Sequence, residues 1–323
     1  MQFKLGFGPM SHRIIDILCD YADSNKRPIM IIASRNQIDK NTGYVMTTEE
    51  LGRRGKRSQY IKVCRDHCGP YFLDSEKGLG LAQALSATTQ TIEEDIKNHF
   101  DLIHIDTSRC QDPFKVADKL LRFCTDLRSD IEFEFGTEEN VGIETTVDNY
   151  QQSVDFAKNY KNIKFVVAQT GSLVMEDRQA GHTSLDVLKR LVEVAEKNNV
   201  GLKEHNADYL TADQILMRKV TGVHAMNIAP QLGVIETKTV LELANKYQVN
   251  SNHFKDLVLK GGRWKKWIIE ENDMTKISVA GHYHFNSLQY KNLNEQLHKF
   301  VDVDQEVAKS INAVLDLYFN NFS

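Results

Sequence analysis

The sequence predicts a closed (β/α)₈ barrel with a C-terminal helical extension, and three observations predict it. Eight apolar runs of strand length recur along the first part of the chain. A segment with helical spacing follows each run, and several runs are apolar throughout rather than alternating. Eight strand–helix units close into a barrel, and continuous apolar strands suit a parallel sheet buried on both faces.

The strands are expected at residues 3–7, 29–33, 60–64, 102–106, 131–135, 164–169, 201–204 and 223–228. Ile29-Met30-Ile31-Ile32-Ala33 and Phe165-Val166-Val167-Ala168 are the clearest continuous runs. Among the helices, residues 13–21 carry Ile14, Ile15, Ile17, Leu18 and Tyr21 on one stripe. Residues 184–197 carry Leu185, Leu188, Leu191, Val192 and Ala195, and residues 238–247 repeat the theme. Thr211 with Gln214 three positions on offers a capping box. The rival architecture, an open doubly wound sheet, would carry a Gly-rich phosphate loop after its first strand. Gly6-Phe7-Gly8-Pro9-Met10-Ser11 has two glycines and a proline there instead. Residues 1–249 therefore read as the barrel and 250–323 as an extension packed on it. Within the extension, 261–267 and 281–284 read as loops and 288–319 as one or two helices.

Composition narrows the function classes. At 323 residues and 41% hydrophobic, the chain can bury a large core. Its 40 basic and 44 acidic residues are dispersed, and the short clusters at 53–57 and 263–266 read as solvated surface, so no nucleic-acid face is expected. No apolar run reaches the roughly 20 residues of a membrane helix. The first eight residues lack a signal-peptide pattern. Five cysteines, an odd count, fit free thiols in a reducing compartment. The expectation is a cytoplasmic protein with no nucleic-acid or membrane partner.

Barrels gather their reacting groups at the C-terminal ends of the strands. The third strand is followed by Arg65-Asp66-His67-Cys68, and the fourth ends His104-Ile105-Asp106-Thr107-Ser108. The fifth carries Glu134 and runs on to Glu139; the sixth ends Gln169-Thr170-Gly171, with Glu176 and His182 further along its loop. The seventh ends Lys203-Glu204-His205-Asn206-Ala207-Asp208 and the eighth Met226-Asn227-Ile228. A catalytic zinc takes about three protein ligands, mostly imidazole, and leaves one position open. His67 and His205, each directly after a strand, are the strongest ligand candidates. His182 is the third, with Glu176 as its alternative. Glu134 reads either as a catalytic carboxylate or as an inward-facing barrel residue paired with a lysine.

Lys62-Val63-Cys64-Arg65-Asp66-His67-Cys68 resembles the Asp-His motif of the class II, metal-dependent fructose- and tagatose-bisphosphate aldolases. Ile103-His104-Ile105-Asp106-Thr107-Ser108, Glu134-Phe135-Gly136-Thr137-Glu138-Glu139 and Ala225-Met226-Asn227-Ile228 are similar to further segments of that family. A closer likeness is to the companion subunit of tagatose-bisphosphate aldolase, often described as non-catalytic. Ser34-Arg35-Asn36-Gln37, Asp66-His67-Cys68-Gly69-Pro70 and Glu204-His205-Asn206-Ala207-Asp208-Tyr209 resemble its motifs, and the likeness runs along nearly the whole chain.

The resemblance implies a divalent metal, zinc first, on His67 and His205, with Asp66 as proton donor. Glu134 or Glu139 would handle the carbon-bound proton, and Asp106, Gly171 and Asn227 would contact substrate. The expected reaction cleaves or forms a C–C bond of a ketose phosphate through an enediolate. Two alternatives are a non-catalytic companion subunit and a metal-dependent sugar epimerase. Expected partners are a sugar or sugar phosphate, and a second copy or a paired aldolase subunit. One departure stands out: catalytic bisphosphate aldolases follow the seventh-strand His with a Gly-rich phosphate loop, whereas here Asn206-Ala207-Asp208 follows His205. Its carboxylate would repel a phosphate unless a cation lay between them.

Overall fold

In a computed structural model that describes residues 1–139 and 141–322, each of the eight apolar runs forms a strand. They are β1 (Leu5–Phe7), β2 (Ile29–Ser34), β3 (Ile61–Cys68), β4 (Leu102–Asp106), β5 (Glu132–Gly136), β6 (Ile163–Ala168), β7 (Gly201–Glu204) and β8 (Ala225–Ile228). Each pairs in parallel with the next, and β8 returns to β1, so the sheet closes. The helices that follow the strands are α1 (His12–Asn25), α2 (Thr48–Gly55), α3 (Leu81–Lys97) and α4 (Pro113–Leu127), then α5 (Val147–Ala157), α6 (Leu185–Lys197), α7 (Ala212–Thr221) and α8 (Pro230–Lys246). The Thr211–Gln214 capping box forms at the start of α7.

Strand alternation divides the apolar residues between two cores. Ile29, Ile31 and Ala33 of β2 point outward and join the large cluster between sheet and helices, as do Ile103 and Ile105 of β4. Met30 and Ile32 point inward and meet Cys64, Leu102 and Ala225 to fill the barrel itself. Both faces of the strands are therefore buried, which is why their sequences read as unbroken apolar runs.

β3 departs from this alternation, and the departure builds the site. The strand runs four residues beyond its expected end. Arg65 pairs with Ile103 but Cys68 with Ile105, so three steps on β3 match two on β4. The surplus residue is a β-bulge, with His67 in the left-handed region at φ 47°. Regular pleating would send Asp66 and His67 to opposite faces; the bulge turns both toward the mouth. Arg65 anchors the outer side. Fully buried, it holds Asp95 of α3 through two bonds of 2.8 and 2.6 Å and the Ile38 carbonyl at 2.8 Å. Gly69, just past the bulge, allows close approach to β4: a Cβ there would stand 1.6 Å from the Asp106 carbonyl oxygen.

Beyond the eighth unit, the chain adds α9 (Asn252–Gly261), α10 (Asp273–Ala280), α11 (Leu288–Leu297) and α12 (Val303–Phe322). Short 3₁₀ turns at Arg263–Lys266 and Gly281–His284 occupy the expected loops. Neither α9 nor α10 was expected, for opposite reasons. α9 buries only Phe254 and Val258, too narrow a stripe to stand out. α10 is buried along its whole second half, so no polar face marks its period. α12 packs against α1, α7 and α8. Its Tyr318 hydroxyl donates to the Ala207 carbonyl at 2.5 Å and accepts from Leu210 N at 3.3 Å, which ties the C-terminal helix to the loop after β7. No helix among the described residues is long and apolar enough to cross a membrane.

Candidate metal centre

Five strands deliver polar side chains to one point at the C-terminal mouth. The bulge in β3 supplies Asp66 and His67. Alternation on β4 puts His104 and Asp106 on the inner face, two residues apart, and likewise Lys203 and His205 at the end of β7. β5 contributes Glu134 and β8 contributes Asn227. Ligand atoms of Asp66, His67, His104 and His205 all lie within 4.8 Å of one another. The three imidazole centroids form a near-equilateral triangle with sides of 5.3, 5.4 and 5.1 Å. They open into a cavity of about 820 Å³.

Carboxylates hold two of the three rings. His67 Nδ1–H donates to Asp106 Oδ2 at 2.6 Å, which leaves Nε2 on the side of Asp66 Oδ2, 3.6 Å away. The other oxygen of Asp106 accepts from the backbone and hydroxyl of Ser108 at 3.0 and 2.7 Å. Phe72 stacks on the His67 ring, with centroids 5.3 Å apart. His205 Nε2 lies 2.5 Å from Glu134 Oε1 and 3.1 Å from Asn227 Nδ2. Glu134 is itself fixed by buried Lys203, 2.5 Å from its second oxygen. A carboxylate behind a ligating imidazole orients the ring and raises its basicity, so Asp106 and Glu134 are placed as such supports.

Charge is concentrated here. Burial pushes the Asp66 and Glu134 carboxyls upward, but the surrounding His67, His104, His205 and Lys203 outweigh it and hold both well below the usual carboxylate range. Burial depresses His67, yet Asp66 and Asp106 outweigh it and lift the ring to about 9. Burial dominates at His205 and lowers it.

The residues fit a divalent cation. Three imidazoles with one adjacent carboxylate make the nitrogen–oxygen donor set that zinc and its transition-metal neighbours take. His104 Nε2 is buried and has no hydrogen-bond partner among the described residues. Glycine at 136 keeps that nitrogen clear, since a Cβ there would stand 2.9 Å from it.

The structure brings Asp66, His67, His205, Glu134 and Asn227 together and leaves other expected residues outside. His182 is exposed on the loop after β6 and is not part of the four-residue group. Glu176, its alternative, lies in the short ribbon of that loop at φ 57°, where its carboxylate accepts from Ile269 N and Glu270 N at 3.1 and 3.0 Å and so pins the segment after the Arg263–Lys266 turn. The third imidazole is His104. Its signal was present in the sequence: His104 and Asp106 alternate on one strand, so whatever points Asp106 inward points His104 inward as well. Asp106 touches His67 and Ser108. Gly171 has φ 79° and packs against the His182 carbonyl, 2.0 Å from where a Cβ would stand. Glu139 lines the cavity, half-exposed, and pairs with Arg109.

Asp208 does not present its charge to the cavity. It is fully buried, and its Oδ1 accepts from Ala229 N at 3.0 Å and Gln231 N at 2.8 Å, which caps α8. Burial raises its carboxyl to about 7, against the pull of those amides. The folded chain therefore holds this proton more tightly than the unfolded chain, whose carboxyl titrates near 4. The stabilisation is complete below about pH 4 and is lost as pH climbs through 7. Asp208→Asn should consequently gain stability over the parent chain by about 2 kcal/mol more at pH 8 than at pH 5. Urea unfolding at the two pH values measures this; a gap that does not change with pH would contradict it.

No family model matches the chain, and no curated protein matches it in sequence. Solved structures do. One, described as a probable tagatose 6 phosphate kinase from Sinorhizobium meliloti 1021, aligns over 98% of this chain and 99% of its own, with a TM-score of 0.84 and 16% identity. The shared fold is the closed eight-stranded barrel with its C-terminal helices, and solved aldolases have it too. Fructose-bisphosphate aldolase (Fba) from Campylobacter jejuni aligns over 100% of this chain and 92% of its own, at TM-score 0.61 and 13% identity. The YdjI aldolase from Escherichia coli K12 aligns over 93% and 91%, at TM-score 0.55 and 13% identity. At such identities the likeness is one of architecture, and it takes in the C-terminal helices of this chain as well as the barrel.

Proposed function

We propose that the chain is a metal-dependent lyase of the class II aldolase type, which cleaves or forms a C–C bond of a ketose phosphate. One observation carries this reading: ligand atoms of Asp66, His67, His104 and His205 stand within 4.8 Å of one another at the mouth of the barrel. A divalent cation, zinc first, held by His67, His104 and His205 would supply Lewis acidity toward a substrate carbonyl. Asp66 lies beside two of those imidazoles and is held ionised, so it can take up and return the proton of the substrate hydroxyl that becomes the aldehyde oxygen. Glu139, half-exposed in the same cavity, would exchange the carbon-bound proton. Glu134 is clamped between Lys203 and His205 and acts as a positioning residue for that ring. Asn227 lies 3.1 Å from the same His205 nitrogen and would orient substrate hydroxyls.

The test is elemental analysis of the purified chain, combined with a screen of ketose phosphates for released triose phosphate. About one metal ion per chain is expected, with turnover that a chelator removes and zinc restores. Release of triose phosphate by the chelated chain would overturn the assignment. The loop after His205, which lacks glycine, favours a second reading as a companion subunit. A metal-loaded chain that cleaves nothing alone but activates a separate aldolase would select it. Interconversion of ketoses without triose release would select the epimerase.

A further inference from the structure

Barrels commonly bind a phosphate where the loops after strands seven and eight meet a helix N-terminus, because free backbone amides point at the anion there. In this chain that corner is already filled from within. Asp208 occupies the first amides of α8, at 3.0 Å from Ala229 N and 2.8 Å from Gln231 N. An arriving anion would meet a buried carboxyl group in place of open donors. The loop is also fastened against moving aside. Gln179 Nε2 donates to the Asn206 and Asp208 carbonyls at 2.9 and 3.1 Å, and Tyr318 holds Ala207 from the other side.

Positive charge gathers elsewhere on the rim of the same cavity, on the Arg263–Lys266 turn supplied by the C-terminal extension. Arg263 and Lys77 share Asp74, at 3.2 and 3.1 Å, and Arg109 is answered by Glu139. Lys265 and Lys266 have no such partner. Among the described residues neither lies within ion-pair distance of a carboxylate; their ammonium groups lie over the rings of Trp264 and Trp267, at 5.9 and 4.4 Å. An aromatic face holds an ammonium in place without cancelling its charge. Gln169 also lines the cavity, and its Oε1 is buried without a partner among the described residues, an acceptor suited to a sugar hydroxyl.

Building on the ketose-phosphate reading above, we propose that the substrate carries a single phosphoryl group, held at the rim by Lys265 and Lys266 beside Arg263 and not at the corner between β7 and β8. Two unanswered ammonium charges match the dianion of a phosphate monoester. A second phosphoryl group would find the Ala229 and Gln231 amides of α8 already taken.

Calorimetric titration of the full chain with glycerol 3-phosphate, glycerol and glycerate tests this. Glycerol 3-phosphate is expected to bind and glycerol is not. The K265A/K266A double variant should weaken binding about tenfold, whereas K265R/K266R keeps it. Asp208→Asn should leave the affinity unchanged. Equal affinity in K265A/K266A, a preference for glycerate, or tighter binding by Asp208→Asn would overturn the proposal, the last by placing the phosphoryl group at α8. Glycerol 3-phosphate undergoes no cleavage and its binding at the rim needs no metal. A failure of the metal-lyase reading would therefore appear in elemental analysis and leave this titration interpretable.

Discussion

His104→Ala should strip the chain of zinc, while His182→Ala leaves zinc content unchanged. The first variant removes one of three imidazoles whose centroids stand 5.1 to 5.4 Å apart. The second alters an exposed ring on the loop after β6. Loss of a ligand weakens a site by more than the roughly 10–100-fold that loss of a supporting group costs. His104→Ala is therefore expected to abolish turnover as well. Asp106→Ala, which removes the hydrogen-bond partner of His67 Nδ1, should fall in that smaller range. Competition against a chromophoric chelator ranks the three variants directly. Retention of metal by His104→Ala, or its loss in His182→Ala, would remove the basis for assigning the third ligand to β4.

Lys203→Met should be the most destabilising single change near the site, at about 3–5 kcal/mol. Lys203 and Glu134 are buried at 0% and 1% exposure and lie 2.5 Å apart, so loss of the ammonium strands a carboxylate inside the barrel. Among the described residues, Glu134 would then keep only His205 and the more distant His104 as charge partners. The Lys203→Met/Glu134→Gln double variant should recover most of the loss, because it removes both charges together. Urea unfolding of the two variants decides the matter. A Lys203→Met chain as stable as its parent would mean that Glu134 takes up a proton with little strain, and that the pair is not what holds His205.

The architecture was legible because the eight strands are short, apolar and buried on both faces, so each announces itself without reference to its neighbours. The site was legible where a single strand end sufficed. Asp66, His67 and His205 could be placed on the mouth from position alone. What the sequence concealed were relations between elements. Whether His104 or His182 completes the triangle depends on how β4 faces β3. The bulge that turns His67 inward is visible only as a mismatch of pairing. Asp208 looked like a charge offered to substrate; that it caps α8 instead depends on the approach of a helix that begins twenty-two residues later. The lysine suspected opposite Glu134 is Lys203, brought there from another strand by closure of the sheet.

The Tyr318 hydroxyl has a practical consequence for anyone handling the chain. It reaches back to the backbone on both sides of Asp208, so the tail of the polypeptide buttresses the segment immediately after a candidate zinc ligand. Tyr318→Phe would loosen that buttress while sparing both the metal centre and the buried aromatic core that α12 supplies. That variant should therefore lose turnover before it loses stability.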